Sequence, residues 1–271
     1  MMLAALLAGL FGLLVGSFLN VCIFRMPRDL SVVSPRSFCP GCEKTIAWFD
    51  NIPVLSWLLL NGRCRNCGAA IGWRYPVVEL ITGAAWFFGA WFWGLNAGAV
   101  KFILFFTALI ALIATDLEER ILPDEFTIGG TIAGVVMAAF VDMGFGPAAI
   151  LVPLSTPAWV VSVLNSILAA AVGAGVIWLV GWAYEKLRHR EGLGFGDVKM
   201  IAMIGAFLGL YGSLLTLMLA SVAGGVIGII FILLTKKDVG TYELPFGTFL
   251  GIAAAIVAVA GEWMIRMQPG A

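Results

Sequence analysis

Apolar residues run through this chain in stretches of about 20, the length an α-helix needs to cross a bilayer. Eight such stretches are expected as helices, near residues 2–24, 77–95, 97–116, 125–142, 159–184, 197–211, 213–234 and 245–265. The sixth is the shortest and opens on a charged residue, which leaves room for a break within it. Between the fourth and fifth, residues 143–157 are rich in Gly and Pro yet apolar, as suits a loop lying in the membrane interface. Polar residues gather between the stretches, above all in residues 25–76. No Lys or Arg precedes Arg25, so the first stretch lacks the basic start of a cleavable signal peptide. No transporter-like internal repeat, low-complexity tract or long linker interrupts the pattern.

Composition agrees with this reading. The 271 residues are 61% hydrophobic and only 12% charged, against about 25% charged in an ordinary soluble domain. Mean hydropathy is +1.02. The expected fold is an all-α integral membrane protein with about eight transmembrane helices. Its parts would be a first helix (1–24), a small module (25–76) and a seven-helix membrane domain (77–271). With 16 basic and 16 acidic residues there is no bulk field to attract nucleic acid. The placement of the basic residues is informative. Fourteen of the 16 fall in 25–76, 116–124, 185–199 and 235–244, which eight crossings put on one side; only Lys101 and Arg266 fall on the other. By the positive-inside rule the first side is cytoplasmic and both termini face out.

The single histidine, His189, sits between Arg188 and Arg190 and leaves no room for an HExxH zinc site or a pair of His ligands. Cysteine is better placed. Cys39-Pro-Gly-Cys42 and Cys64-Arg-Asn-Cys67 enclose 21 residues. Two such knuckles let four thiolates converge on one structural Zn²⁺, and a reducing cytoplasmic location argues against disulfides; redox-active CxxC pairs or unligated thiols are the alternative. Gly41 and Gly68 suit the knuckle turns, and a module this small would draw much of its folding energy from the metal. Cys22 lies within an apolar stretch and reads as a buried hydrophobe.

Charged residues at the ends of membrane spans need a reason, because lipid burial of a charge is costly. Asp116 ends the third stretch and Asp197 opens the sixth, at similar depth on the cytoplasmic side. Two carboxylates meeting there can share a proton, one acting as base on water and the other polarising a peptide carbonyl. That is aspartyl-protease chemistry, which needs neither histidine nor metal. Gly194 and Gly196 would let a substrate backbone approach Asp197 closely. The string from Gly192 to Gly196 resembles part of a phosphate-binding loop but lacks a surrounding βαβ unit. Interfacial helix capping is the alternative use of both aspartates.

Taken in order, these residues resemble the type IV prepilin peptidases, the GxGD class of intramembrane aspartyl proteases. The resemblance rests on Gly16-Ser-Phe-Leu-Asn-Val21 leading to Arg25-Met-Pro27, the paired CxxC motifs, Phe49-Asp-Asn-Ile-Pro53 with Leu55-Ser-Trp57, and Arg74-Tyr-Pro76 before Glu79-Leu-Ile-Thr-Gly83. It continues through Asp116, Leu122-Pro-Asp124, Gly194-Phe-Gly-Asp197-Val-Lys199 and Pro245-Phe-Gly247. Thr248 departs from the family, standing where a second proline is often found, and Ala70-Ile-Gly72 is looser than usual. The resemblance implies a bacterial inner-membrane enzyme that cleaves the short basic leader of type IV prepilins and type II secretion pseudopilins after glycine. Asp116 and Asp197 would be catalytic, with Gly194, Gly196, Lys199, Pro245 and Gly247 supporting them. It also implies N-methylation of the new N-terminus, commonly Phe, with S-adenosylmethionine as cosubstrate. No Rossmann-type pattern provides that site. The polar candidates near the cysteines are Asn51, Arg74, Tyr75 and Glu79, which helix-end structure would explain equally well.

Two rivals compete with this reading: a transporter using Asp116 and Asp197 as a proton relay, and a zinc-ribbon scaffold without chemistry. A transporter would show paired halves and mid-membrane polar residues, whereas these acids sit at an edge; a scaffold leaves the glycine setting of Asp197 unused. Beside Asp116, the acids Glu118, Glu119, Asp124 and Glu125 outnumber Arg120. On an otherwise basic face this patch would attract a basic leader, unless it is only exposed charge at a helix end.

Overall fold

The computed structural model describes the chain except residues 145, 189–193, 236–244 and 267–271. His189, Arg190 and Gly192, which entered the sequence reading, lie outside the described residues, as does nearly all of the basic segment 235–244. The described residues are helical, with two isolated antiparallel bridges, Phe38 with Thr45 and Arg63 with Ala70. In chain order the α-helices are α1 (Met2–Arg25), α2 (Leu55–Leu59), α3 (Arg74–Trp93), α4 (Ala97–Glu119), α5 (Asp124–Met137), α6 (Ala148–Leu151), α7 (Ala158–Arg188), α8 (Phe195–Thr235) and α9 (Phe246–Arg266). Short 3₁₀ turns occupy Met26–Arg28 and Trp48–Asn51. The chain forms two compact units, Met1–Ala111 and Leu112–Ala271, with the boundary inside α4.

Of the eight expected crossings, four helices among the described residues are long and apolar enough to span a membrane: Met2–Arg28, Ala97–Glu119, Ala158–Arg188 and Phe195–Ile230. The remainder differ for physical reasons. Arg74, Glu79 and three tryptophans lower the hydropathy of α3. The 14 residues of α5 extend only about 21 Å at 1.5 Å each, short of a core about 30 Å thick. The eighth stretch does not differ in this way: it forms the 21-residue α9, apolar over Phe246–Gly261. The sixth and seventh stretches form the single helix α8, broken at Gly209 (φ +73°, ψ −178°), a conformation that only glycine adopts without strain.

Within the first unit, α1 packs along α3 through glycines. A Cβ on Gly16 would lie 2.7 Å from Glu79 Cα, and one on Gly12 would lie 2.7 Å from Trp86 Cβ. Such small-residue contacts bring helix backbones together where lipid offers no hydrophobic drive. The opposite face of α1 presents Leu3, Leu7, Leu10, Leu14 and Phe18 outward, as a lipid-facing stripe should. Cys22 is buried, as a core residue. Trp86 Nε1 donates to Thr107 Oγ1 at 3.0 Å, tying α3 to α4.

In the second unit α8 is the central element, packed against α5, α7 and α9. Its Met200, Ile201, Met203, Ile204 and Phe207 form the core. Ser166 Oγ of α7 donates to the Ala206 carbonyl at 2.9 Å, and a Cβ on Gly205 would lie 2.6 Å from the Ala169 carbonyl oxygen. This packing fixes the first turn of α8, where Asp197 stands.

Candidate active site

The second unit gathers one set of the expected residues. Asp116 lies in the last turn of α4 and Asp197 in the first turn of α8; both are buried, at 5% and 9% exposure. Asp197 lies within electrostatic reach of Asp116. Its backbone N–H donates to the Gly194 carbonyl at 3.1 Å. Asp116 Oδ2 accepts two hydrogen bonds from the start of α9, from the Thr248 N–H at 2.6 Å and the Thr248 hydroxyl at 2.7 Å.

The glycines make this closeness possible. A Cβ on Gly247 would sit 3.1 Å from Asp116 Cγ and 3.0 Å from Leu122 Cδ1. A Cβ on Gly196 would meet Leu122 Cβ at 3.2 Å, and one on Gly194 would come within 3.4 Å of Asp197 Oδ2. Leu122 therefore fills the space that Gly196 and Gly247 leave open. Pro245 precedes α9, its carbonyl accepting the Thr248 N–H at 3.2 Å as well.

Lys199 does something else. Its ammonium pairs with Asp124 Oδ1 and lies over the Phe195 ring. One acid of the expected patch is thereby partly neutralised. Glu118 is exposed, Glu119 is half-buried, and Arg120 adopts a left-handed φ of +58° where the chain leaves α4. Sequence reasoning treated Thr248 only as a departure from the family and gave Leu122 no role. The glycines at 196 and 247 were the signal that could have found Leu122.

The first unit gathers the cysteines. One ligand atom from each of Cys39, Cys42, Cys64 and Cys67 lies within 4.8 Å of all the others, an arrangement that could hold a metal ion. The Cys39 and Cys67 sulfurs are 3.8 Å apart, equal to the edge of about 3.8 Å that a tetrahedron of metal–sulfur bonds near 2.3 Å requires. The two knuckles share one construction. Cys39 N–H donates to the Lys44 carbonyl and Glu43 N–H back to the Cys39 carbonyl; Cys64 and Gly68 repeat this with Ala69. The left-handed residue after each second cysteine is Glu43 (φ +57°) in one and Gly68 (φ +72°) in the other. Gly41 has another use: a Cβ there would crowd Ala69 Cβ at 3.1 Å and stand against the sulfurs of Cys67 and Cys39.

Electrostatics distinguish the thiols. N–H groups of Cys67 and Asn66 bond the Cys64 sulfur and pull its pKa down to about 7. One Ala69 N–H favours the Cys67 thiolate, yet desolvation and the bonds to Cys42, Cys64 and Cys39 outweigh it and push Cys67 up to about 11. Nearby, Arg65 grips Asp50 with two nitrogens, at 2.9 and 2.7 Å, and holds that carboxyl below the usual range.

The remaining candidates line a cavity of about 280 Å³ in the same unit. Asn51, Tyr75 and Glu79 face it, with Asn20 and Trp57. Arg74 instead lies over the Tyr75 ring at 4.6 Å. Arg25, buried at the end of α1, shapes the adjoining loop by donating to the carbonyls of Ser31 and Pro35, both at 2.8 Å.

Comparison with known proteins decides among the sequence readings. Residues 10–93 match the bacterial peptidase A24 N-terminal domain, and residues 103–229 match the type IV leader peptidase family. The chain belongs to the type IV leader peptidase family. Among its relatives is a Myxococcus xanthus protein, 41% identical over 229 residues, covering 83% of this chain and 62% of that protein. A Stutzerimonas stutzeri relative is 33% identical over 280 residues, covering 95% and 91%. One from Pseudomonas aeruginosa is 32% identical over 280 residues, covering 95% and 90%. All three are named prepilin leader peptidase/N-methyltransferase. No solved structure matches the chain significantly. Membership of a peptidase family leaves the transporter and the inert scaffold without support.

Proposed function

We propose that this protein cleaves the leader of type IV prepilins and of pseudopilins by aspartyl-protease chemistry and N-methylates the residue exposed. The observation that carries the proposal is the pairing of Asp116 with Asp197, buried and glycine-lined, in a chain that belongs to a leader peptidase family. The two Thr248 donors occupy Asp116 Oδ2 and leave Oδ1 for a water. The carboxylate takes a proton from that water as its oxygen attacks the scissile carbonyl, while the protonated partner donates to the carbonyl oxygen. Collapse breaks the C–N bond, and the proton passes to the leaving amine. Gly194 and Gly196 leave space for the substrate backbone beside Asp197. Glu118 and Glu119 attract the basic leader.

The four cysteines are the ligands of a structural Zn²⁺, in keeping with the sulfur spacing. S-adenosylmethionine is the methyl donor, and Asn51, Arg74, Tyr75 and Glu79 are its candidate contacts or those of the amine. The charge distribution supports eight crossings of the bacterial inner membrane, with residues 25–76 and the aspartates cytoplasmic and both termini outside. The test is mass spectrometry of a prepilin incubated with the purified protein and S-adenosylmethionine. Loss of the leader with a gain of one methyl is the expected result. An uncut substrate would refute the peptidase, and a cut but unmethylated one the transferase.

A further inference from the structure

Part of the segment 25–76 carries its apolar side chains on the outside. The short helix α2 turns Ser56 inward, where its hydroxyl donates to the Phe49 carbonyl at 2.8 Å and accepts the Ile52 N–H at 3.1 Å. Beside it, Trp57 Nε1 donates to the Ile71 carbonyl at 3.1 Å. Leu55, Leu58 and Leu59, spaced to share the other face, are 49%, 57% and 72% exposed. Trp48 at 74%, Trp73 at 72% and Ile52 at 39% are exposed as well. A helix in water buries its leucines and leaves its serine outside. The inversion in α2 calls for an apolar medium around it.

Depth identifies that medium. Val54, the residue before α2, holds φ +62° and ψ −51°, a conformation that a β-branched residue adopts only under strain. Its N–H donates to Glu79 Oε2 at 2.7 Å, which fastens the start of α2 to α3. Glu79 stands five residues into α3, about 7 Å along its axis. It lies against Gly16, nine residues and about 13 Å before the end of α1. The polar layer on each side of a bilayer is only about 5–8 Å thick. α2 therefore starts level with the hydrocarbon edge of the bilayer that these helices enter, not in the water beyond it. Residues 25–76 hold seven basic and three acidic residues, and Arg28, Arg36 and Arg63 are exposed, which suits a layer of anionic headgroups. Tryptophan is favoured at the same level. We infer that α2, with Trp48, Ile52 and Trp73, lies in the membrane interface and seats the cysteine module on lipid. The inference rests on the proposed membrane crossings of α1 and α3, and on neither of the proposed chemistries.

Photocrosslinking of the full chain in nanodiscs of phosphatidylcholine and phosphatidylglycerol tests it, with adducts read by mass spectrometry. A benzophenone amino acid replaces Leu59 in one variant. In two others it replaces Leu10, on the outward stripe of α1, as the membrane standard, and Lys44, charged and exposed in the first knuckle, as the aqueous one. Lipid adducts at Leu59 are expected to approach the yield at Leu10 and to exceed that at Lys44 by about 10-fold, as for a helix lying in the interface. A lipid yield at Leu59 no higher than at Lys44, with Leu10 fully labelled, would overturn the seat and leave the crossing of α1 intact. Adducts from Leu59 to protein instead of lipid, in this chain, a second copy or an added prepilin, would overturn it too. Failure of Leu10 to label lipid would refute the crossing itself. Should the Leu59 variant unfold, tryptophan emission decides, measured in lipid brominated near the head of the acyl chain. Trp48→Phe and Trp73→Phe are each expected to remove emission that the bromine quenches. Loss of unquenched emission alone would overturn the seat.

Discussion

Thr248 places two donors on one oxygen of Asp116, so the orientation of the carboxylate depends on a side chain outside the paired acids. Thr248→Val keeps the N–H bond and removes the hydroxyl. A hydrogen bond to a charged group contributes about 1.5–3 kcal/mol, so kcat for leader cleavage should fall about 10- to 100-fold, with KM little changed. Thr248→Ser should restore most of the rate; a Ser variant as slow as Val would remove the hydroxyl from the mechanism. Asp116→Asn and Asp197→Asn should each abolish cleavage, and the double variant should add little because the pair acts as a unit. At the cysteines, Cys64 carries the lowered pKa, about 7. In metal-free protein its thiolate is present above that value, so its alkylation should rise through neutral pH. Mass-spectrometric mapping should find Cys67, pushed up to about 11, reacting only in strongly alkaline solution. Equal labelling of the two at neutral pH would contradict the bonding described.

Helix contacts here are set by residues that are absent in volume. A methyl on Gly16 meets the Glu79 backbone at 2.7 Å, which cannot yield as a flexible side chain would. Gly16→Ala should therefore cost about 1–3 kcal/mol by overpacking, lower the unfolding temperature and weaken ligand binding in the adjoining cavity. An unchanged melting profile would mean that the helices can separate without loss. Much at this scale was legible in the sequence. Apolar runs located α1, α4 and α7 to within a few residues, because nothing in them competes with helix formation. Asp116, Asp197 and the four cysteines stood out because charge and thiol chemistry are rare in such a chain. Other features carry no sequence signal. A left-handed Val54 contradicts its own propensity and is imposed by tertiary bonding. Leu122 looks like any apolar residue until Gly196 and Gly247 close around it. The break at Gly209 lies slightly ahead of the expected boundary, because apolar character continues straight through it.

At the scale of the molecule, the two candidate sites fall in different compact units. The cysteines and the cavity lie in Met1–Ala111; Asp116, Asp197 and Thr248 lie in Leu112–Ala271. Removing the metal should therefore dissociate the activities. Chelation, or Cys39→Ser or Cys64→Ser, should lower methylation by about 10-fold or more, since so small a module would depend on the proposed Zn²⁺ to fold. In the proposed mechanism no thiolate takes part in cleavage, so its kcat should fall far less; equal loss of both would show that the units do not act separately. Charge at this scale is proposed to govern capture of the substrate. Basic residues dominate the expected cytoplasmic segments, yet the turn after Asp116 carries acids. Lys199 engages Asp124 among them, and Glu118 and Glu119 are the acids proposed to draw a Lys-rich leader toward the paired aspartates. Exposed ion pairs contribute about 0.2–1 kcal/mol each and are screened by salt. Replacing both glutamates by Gln should then raise KM about 2- to 10-fold at low ionic strength, with kcat nearly constant. The difference should shrink as salt is added, because the attraction is screened within about 10 Å at 0.1 M. Identical KM values for wild type and the double variant at low salt would show that the leader is held by contacts other than these acids.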